Sequence, residues 1–351
     1  MDAPDPLIGA RLGEYQVVER IGEGGMGVVY RGFQPALKQR VAIKVLKPEA
    51  AARPDQVKRL LDEAKAANAI SHRGIVSIFG SGQLPDGRHY LVMEYLEGQP
   101  LDQKLADGGP CFPQEAIPLL KEICGALAAA HARGVVHRDL KPSNVFVVAQ
   151  PDGSRVVKLL DFGLAKRGSG SEGASVVFTP PRTGATTIVG TVEYMAPEQA
   201  RAEPVSPRSD LYSLGVLAFE LLTGQLPFPG RSPVEVLRQH LEAPPPSPSS
   251  RVDGVPASLD ALVLRLLAKD PERRPASADA VRAELAAIER EVEVSTARVS
   301  PAAPVSRDIT VPSDEVYVAG LRRRRRLTVV AAVSAVVLLA LGLVVRACSG
   351  P

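Results

Sequence analysis

Residues 137–144 read HRDLKPSN, and what stands on either side of that string decides the fold. Upstream, residues 114–133 carry a helical pattern rich in Leu and Ala that ends near Arg133. Downstream, the strand VVKLL leads directly into Asp161-Phe162-Gly163, and Ala196-Pro197-Glu198 follows. Toward the N-terminus lie IGEGGMGVVY at 21–30 and VAIK at 41–44.

Gly22, Gly24 and Gly27 form a G-x-G-x-x-G set. Glycines let backbone amides approach a phosphate without a side-chain clash and let a hairpin fold over it. Dinucleotide-binding folds use the same string ahead of a helix. Here Val28, Val29 and Tyr30 continue as a strand, and VAIK supplies a second one. Lys44 sits in that second apolar strand, where an ammonium is costly to bury unless an anion meets it. Segment 54–70 spaces Val57, Leu60, Leu61, Ala64 and Ala67 at three and four residues, which predicts an amphipathic helix. Glu63 falls on its inward side and can supply one carboxylate to Lys44, with nucleotide phosphates as the other anion.

Five motifs in this order and spacing resemble the protein-kinase superfamily, over residues 15 to about 290. The resemblance implies an α+β, bilobal kinase fold with a small β-rich N-lobe and a larger helical C-lobe. It also implies roles. Asp139 would accept or orient the substrate hydroxyl proton, and Lys141 would reach the γ-phosphate, resembling the Ser/Thr-specific branch. Lys44, positioned by Glu63, would hold the α/β-phosphates of ATP. Asn144 and Asp161 would offer oxygens to Mg²⁺, or to Mn²⁺ in its place. Adenine would lie under Ile21, Val29 and Ala42, with the backbone of Glu94 and Leu96 hydrogen-bonding it and Met93 narrowing the pocket behind. His137 reads as a packing residue, Asp210 as a cap or a tie to the catalytic-loop backbone, and Glu198 with Arg274 as a buried ion pair. Thr183, Thr186 and Thr187 are the expected autophosphorylation sites, while Thr191 belongs with the substrate-site architecture. A pseudokinase scaffold would have lost Lys44, Asp139, Asn144 or Asp161, and all four are present. A small-molecule kinase of similar fold would not be expected to carry HRDLKPSN and a full APE segment.

The rest of the 351 residues is organised differently. Residues 1–14 read as an N-terminal extension, 15–290 as the kinase domain and 291–321 as a juxtamembrane linker without helical period. Arg322–Arg326 form a polybasic stop ahead of LTVVAAVSAVVLLALGLVV, residues 327–345, with 346–351 as a short far-side tail. Nineteen uncharged residues span about 28 Å as a helix, close to a bilayer core. A buried C-terminal helix is the alternative reading. The arginines place the catalytic domain on the cytoplasmic face of the cell's inner or plasma membrane, anchored by one span. The formal charge of +3 is located there too. Residues 1–290 sum to zero, so the chain offers no electrostatic footprint for nucleic acid. Protein substrates, the membrane and a second copy of the chain are the expected partners. Cys111, Cys124 and Cys348 are too few and too far apart for a disulfide framework or a zinc site.

Overall fold

The strand VAIKVL is apolar on nearly every residue because it runs through the middle of a sheet. In the computed structural model, which describes residues 5–150, 154–162 and 192–299, six antiparallel strands form that sheet. They are β1 (Arg11–Leu12), β2 (Tyr15–Glu23), β3 (Gly27–Gln34), β4 (Gln39–Leu46), β5 (Ile78–Gln83) and β6 (His89–Glu94), in the order β1-β2-β3-β4-β6-β5. Side chains alternate faces along a strand. Val41, Ile43 and Val45 of β4 pack with Val17, Tyr30 and Val92 on one side. On the other, Leu46 packs with Leu60, Ala64 and Leu91, while Ala42 and Lys44 border a cavity.

Two helices follow β4: the short α1 (Pro48–Ala51) and α2 (Pro54–Ala69). Pro54 opens α2 and Asp55 lies in its first turn, a favourable start for a helix. Leu60, Glu63, Ala64 and Ala67 are its buried residues at three- and four-residue spacing, so Glu63 faces inward as its position predicts.

The second lobe centres on α6 (Pro207–Thr223), buried along almost its whole length. Ser206 caps it by accepting the Arg208 N–H, and Pro207 stands in its first turn. Gly215 permits close packing there, since a Cβ would stand 2.7 Å from Leu266 Cβ on α8 (Ala257–Leu266). Around this helix lie α3 (Leu101–Gly108), α4 (Pro113–His131), α5 (Pro197–Ala200), α7 (Pro233–Glu242) and α9 (Ala278–Val299).

Two features depart from the sequence reading. The strand expected at VVKLL is present as β9 (Arg155–Leu159), but it belongs to a three-stranded antiparallel sheet in the mainly helical lobe, with β7 (Gly98–Pro100) and β8 (Val145–Ala149), that the sequence reading did not foresee. Further on, α9 runs nine residues past the expected start of the linker at 291. Val292 continues the buried stripe of Val281, Leu285 and Ile288, so the helical period extends beyond Arg290. Among the described residues no helix is long and apolar enough to cross a membrane. Thr183, Thr186, Thr187, Thr191, Gly163 and the expected span at 327–345 lie outside the described residues.

Candidate active site

The loop 137–144 is held from below by one carboxylate. Asp210 of α6 accepts the backbone N–H of His137 and of Arg138, both at 2.8 Å, and its Oδ2 lies 2.8 Å from His131 Nε2. Asp210 is therefore a tie rather than a cap, since Ser206 does the capping. Arg138 adopts φ +66°, the backbone reversal that lets two consecutive amides converge on one side chain.

His137 is fully buried, and burial depresses its pKa. Its Nδ1 lies 3.3 Å from the Asp139 N–H and its Nε2 lies 3.0 Å from the Leu160 carbonyl. A neutral ring satisfies both contacts if Nδ1 accepts and Nε2–H donates. Both nitrogens are thus spent on backbone, and the ring packs 4.8 Å from Phe162. The imidazole is a spacer between the catalytic loop and the Asp161 turn.

Asp139 receives polar contacts from two neighbours. Lys141 Nζ lies 2.9 Å from its Oδ2, and Asn144 Nδ2 donates to its carbonyl oxygen at 2.8 Å and its Oδ2 at 3.1 Å. With Nδ2 so engaged, the Asn144 amide oxygen is left as an acceptor. The β8–β9 hairpin pairs Val145 with Leu159, and the Leu160 N–H donates to the Asn144 carbonyl at 2.9 Å. That pairing sets Asn144 and Asp161 side by side at the end of one hairpin.

Asp161, at φ +44°, accepts from Lys44 Nζ at 2.7 Å. Burial pulls the ammonium toward neutrality, but Asp161 and Glu63 outweigh it and keep its pKa above the ordinary 10.5. The Lys44 charge in turn holds the Asp161 carboxyl below its usual range. This corrects the expected Lys44–Glu63 pair: neither a hydrogen bond nor an ion pair joins them. Burial pushes Glu63 up to about 7, with Lys44 opposing and the Asp161 and Asp139 charges adding.

Above these groups is a cavity of about 190 Å³ bordered by Ile21, Val29, Ala42, Lys44, Glu63, Met93, Glu94, Leu96 and Asp161. The Glu94 N–H donates to the Ser77 carbonyl at 2.9 Å and its carboxylate binds Lys158 at 2.6 Å, so both of these groups are engaged within the protein. Gly22 and Gly24 lie off the cavity at the β2–β3 turn, closed by Gly24 N–H to Gly27 O at 2.8 Å. No protein atom stands within 4 Å of a Cβ built on Gly22, so its smallness serves approach from outside. Gly27 differs: its Cβ would stand 2.6 Å from the Val45 carbonyl oxygen, so its smallness serves the β3–β4 pairing.

The sequence reading expected apolar residues of the helical lobe as the floor of this cavity but numbered none. The floor consists of Phe146, Val76 and Leu160. Phe146 had a usable signal, since it is an aromatic residue on β8 two positions beyond Asn144. Gln199 was also missed. It donates to the Arg138 carbonyl at 3.0 Å and accepts the Ala196 N–H at 3.0 Å, joining the catalytic loop to the segment 192–199. The expected Glu198–Arg274 pair is present, bidentate at 2.7 and 2.9 Å and buried.

A flat apolar slot with one polar backbone edge fits a purine ring. An ammonium and a glycine-rich turn at its far end fit phosphates. Among the described residues no cluster of three His, Cys, Asp or Glu could hold a metal alone. One amide oxygen and one carboxylate instead fit a hard divalent cation whose other ligands are phosphate and water.

Residues 15–285 match the protein kinase domain family, and the chain belongs to it. Among curated relatives, serine/threonine-protein kinase Pkn1 of Myxococcus xanthus is 45% identical over 302 residues, covering 86% of this chain and 42% of that protein. Serine/threonine-protein kinase PknB of Mycobacterium tuberculosis is 40% identical over 274 residues, covering 77% of this chain and 42% of that protein. Serine/threonine-protein kinase PrkC of Bacillus subtilis is 37% identical over 280 residues, covering 80% and 41%. The chain thus spans less than half the length of each of these three. A crystal structure of the Mycobacterium tuberculosis PknI kinase domain superposes with TM-score 0.60 at 28% identity, over 80% of this chain and 98% of that one.

Proposed function

We propose that the chain is a serine/threonine protein kinase that transfers the γ-phosphoryl group of Mg²⁺-ATP to hydroxyls of protein substrates. The observation that carries this reading is Asp139, contacted by Lys141 and Asn144 on a loop anchored to a buried helix, beside a cavity that ends in Lys44 and Asp161. Phosphoryl transfer needs in-line positioning and charge neutralisation more than covalent chemistry. Asp139 orients the acceptor hydroxyl and takes its proton. Lys141 supplies positive charge next to that carboxylate, and Lys44 supplies it at the inner end of the cavity. Asn144 and Asp161 would hold the cation, which when bound would offset charge on the phosphate oxygens. The test is transfer of labelled γ-phosphate to a generic basic protein by wild-type and Asp139→Asn chains. Transfer by neither, with nucleotide still bound, would replace this reading with that of a scaffold.

The same reading extends to control and location. Arg138 adjoins the catalytic base, and an arginine there is a ready partner for phosphate on a nearby loop. Autophosphorylation at Thr183, Thr186 or Thr187 would use it. Phosphopeptide mapping of wild-type and Asp139→Asn protein decides this, since equal phosphate on both defeats the autocatalytic version. The charge-free run 327–345 behind five arginines supports a single membrane span with the kinase domain on the cytoplasmic side. Fractionation of cells expressing the chain with and without residues 322–351 tests that anchor.

A further inference from the structure

Four consecutive residues at the end of β9 each hold a different part of the nucleotide cavity and the loop below it. Leu159 donates its N–H to the Gly74 carbonyl at 2.8 Å and accepts the Val76 N–H at 3.3 Å. Leu160 donates its N–H to the Asn144 carbonyl, and its own carbonyl meets His137. Asp161 accepts from Lys44. Lys158 reaches the opposite end of the cavity: its Nζ lies 2.6 Å from Glu94 Oε2, with the Ile75 carbonyl at 3.5 Å.

Glu94 is the last residue of β6 and borders the cavity with Tyr95 and Leu96, whereas Lys158 does not border it. The Glu94 backbone is already paired, with Ser77 through its N–H and with Val41 across the sheet. Strand pairing therefore places Glu94 within the six-stranded sheet. It does not set the distance to β9, which belongs to the other sheet. The Lys158–Glu94 ion pair joins the two sheets directly. Its side chains are 13% and 30% exposed, so salt and water screen it less than a surface pair. Among the described residues, the one other donor to this carboxylate is the Ser77 N–H, at a long 3.4 Å.

On the protein-kinase reading, on which this inference rests, ATP spans the whole cavity, with its base at the 94–96 edge and its phosphates at Lys44. We propose that Lys158 is a positioning residue for the nucleotide, its ion pair with Glu94 fixing the span between those two ends. A ligand that engages two half-sites at once gains affinity only where their separation matches its own length. Lys158 stands outside the cavity, so its loss acts on that match rather than on a contact to the base or to a phosphate.

Calorimetric titration of the purified full chain separates one end from the span. The probes are adenosine and the β,γ-imido analogue of ATP, with Mg²⁺ present throughout. Lys158→Met should weaken binding of the triphosphate analogue about three- to tenfold and that of adenosine by less than about twofold. In steady state, KM for ATP should rise in parallel, while KM for the protein substrate stays within about twofold. Lys158→Arg keeps the charge and should stay within about twofold of wild type for both probes. In a Glu94→Gln background the methionine substitution should cost the analogue less than about twofold, because its partner is already gone. Unchanged analogue binding in Lys158→Met, an equal loss for adenosine, an arginine variant as impaired as the methionine one, or the same cost in both backgrounds overturns the proposal. If Lys158→Met does not fold, Lys158→Gln replaces it under the same criteria. A wild-type chain that binds neither probe ends the kinase reading and the proposal with it. Equal binding of the analogue by wild type and Lys158→Met ends the proposal alone.

Discussion

Replacing Arg274 by Met should cost this fold a large part of its stability. All five guanidinium donors can be placed. Nη1 and Nη2 bond the Glu198 carboxylate at 2.7 and 2.9 Å, and further bonds run to the carbonyls of Ala268 (2.8 Å), Arg208 (2.9 Å) and Lys269 (3.1 Å). The guanidinium also lies 4.9 Å from the Tyr212 ring centre. The substitution leaves a buried carboxylate unpaired and three carbonyls short of a donor, so the loss is roughly 3–5 kcal/mol. In a domain of this size that lowers Tm by about 6–20 °C, readable by thermal denaturation. Glu198→Leu combined with Arg274→Met should recover at least half of the loss, because the pair's desolvation disappears with its charges. Burial raises the Glu198 pKa, but the hydrogen bonds and charge of Arg274 outweigh burial and hold it below its ordinary 4.5. A depressed folded pKa stabilises above 4.5 and loses that contribution as pH falls through the folded value. The gap in Tm between wild type and Arg274→Met should therefore narrow in acid. A fall under about 3 °C at neutral pH, or a double variant weaker than both singles, would refute the reasoning.

Three further outcomes are expected. Asp139→Asn should lower kcat about 10²–10⁴-fold while nucleotide Kd, measured calorimetrically, stays within about threefold. Glu63, pushed up to about 7 mainly by burial, has a folded pKa above its ordinary 4.5. Its contribution is complete below 4.5 and is lost as pH rises through 7, by up to about 3 kcal/mol. Wild-type Tm should consequently fall more steeply between pH 5 and 8 than that of Glu63→Gln, and parallel curves would contradict this. Gly27→Ala forces a methyl to 2.6 Å from the Val45 carbonyl oxygen, so the β3–β4 pairing must open. It should cost about 1–3 kcal/mol and weaken nucleotide binding, both measurable by thermal shift with and without ATP.

Much of this site was legible because its chemistry is local in sequence. Asp139, Lys141 and Asn144 share one loop, and the G-x-G-x-x-G hairpin with VAIK places Lys44 by strand alternation alone. Glu63 was legible as an inward carboxyl from helical spacing. Its partner was not, because Lys44 meets Asp161 from 117 residues away, a juxtaposition that no local spacing records. Phe146 and Val76 both border the cavity but come from distant parts of the chain, so only the fold brings them together. The helical stripe in α9 reaches Val292, hidden from the sequence by a Val- and Glu-rich tail that looked aperiodic. Lys158 was silent for a similar reason. A lysine on a strand says nothing of the carboxylate that it meets from 64 residues away.

Asp210 has a consequence for how such an enzyme can change over time. The loop that carries the base is fastened to a buried helix of the larger lobe through two adjacent peptide groups. Positional scatter at Asp139 is then set by the packing around α6. Loops that choose a substrate, and strands that cover a nucleotide, can vary in sequence or swing without carrying the base with them. Accuracy at the reacting atoms and freedom at the recognition surfaces are thereby assigned to different parts of the chain.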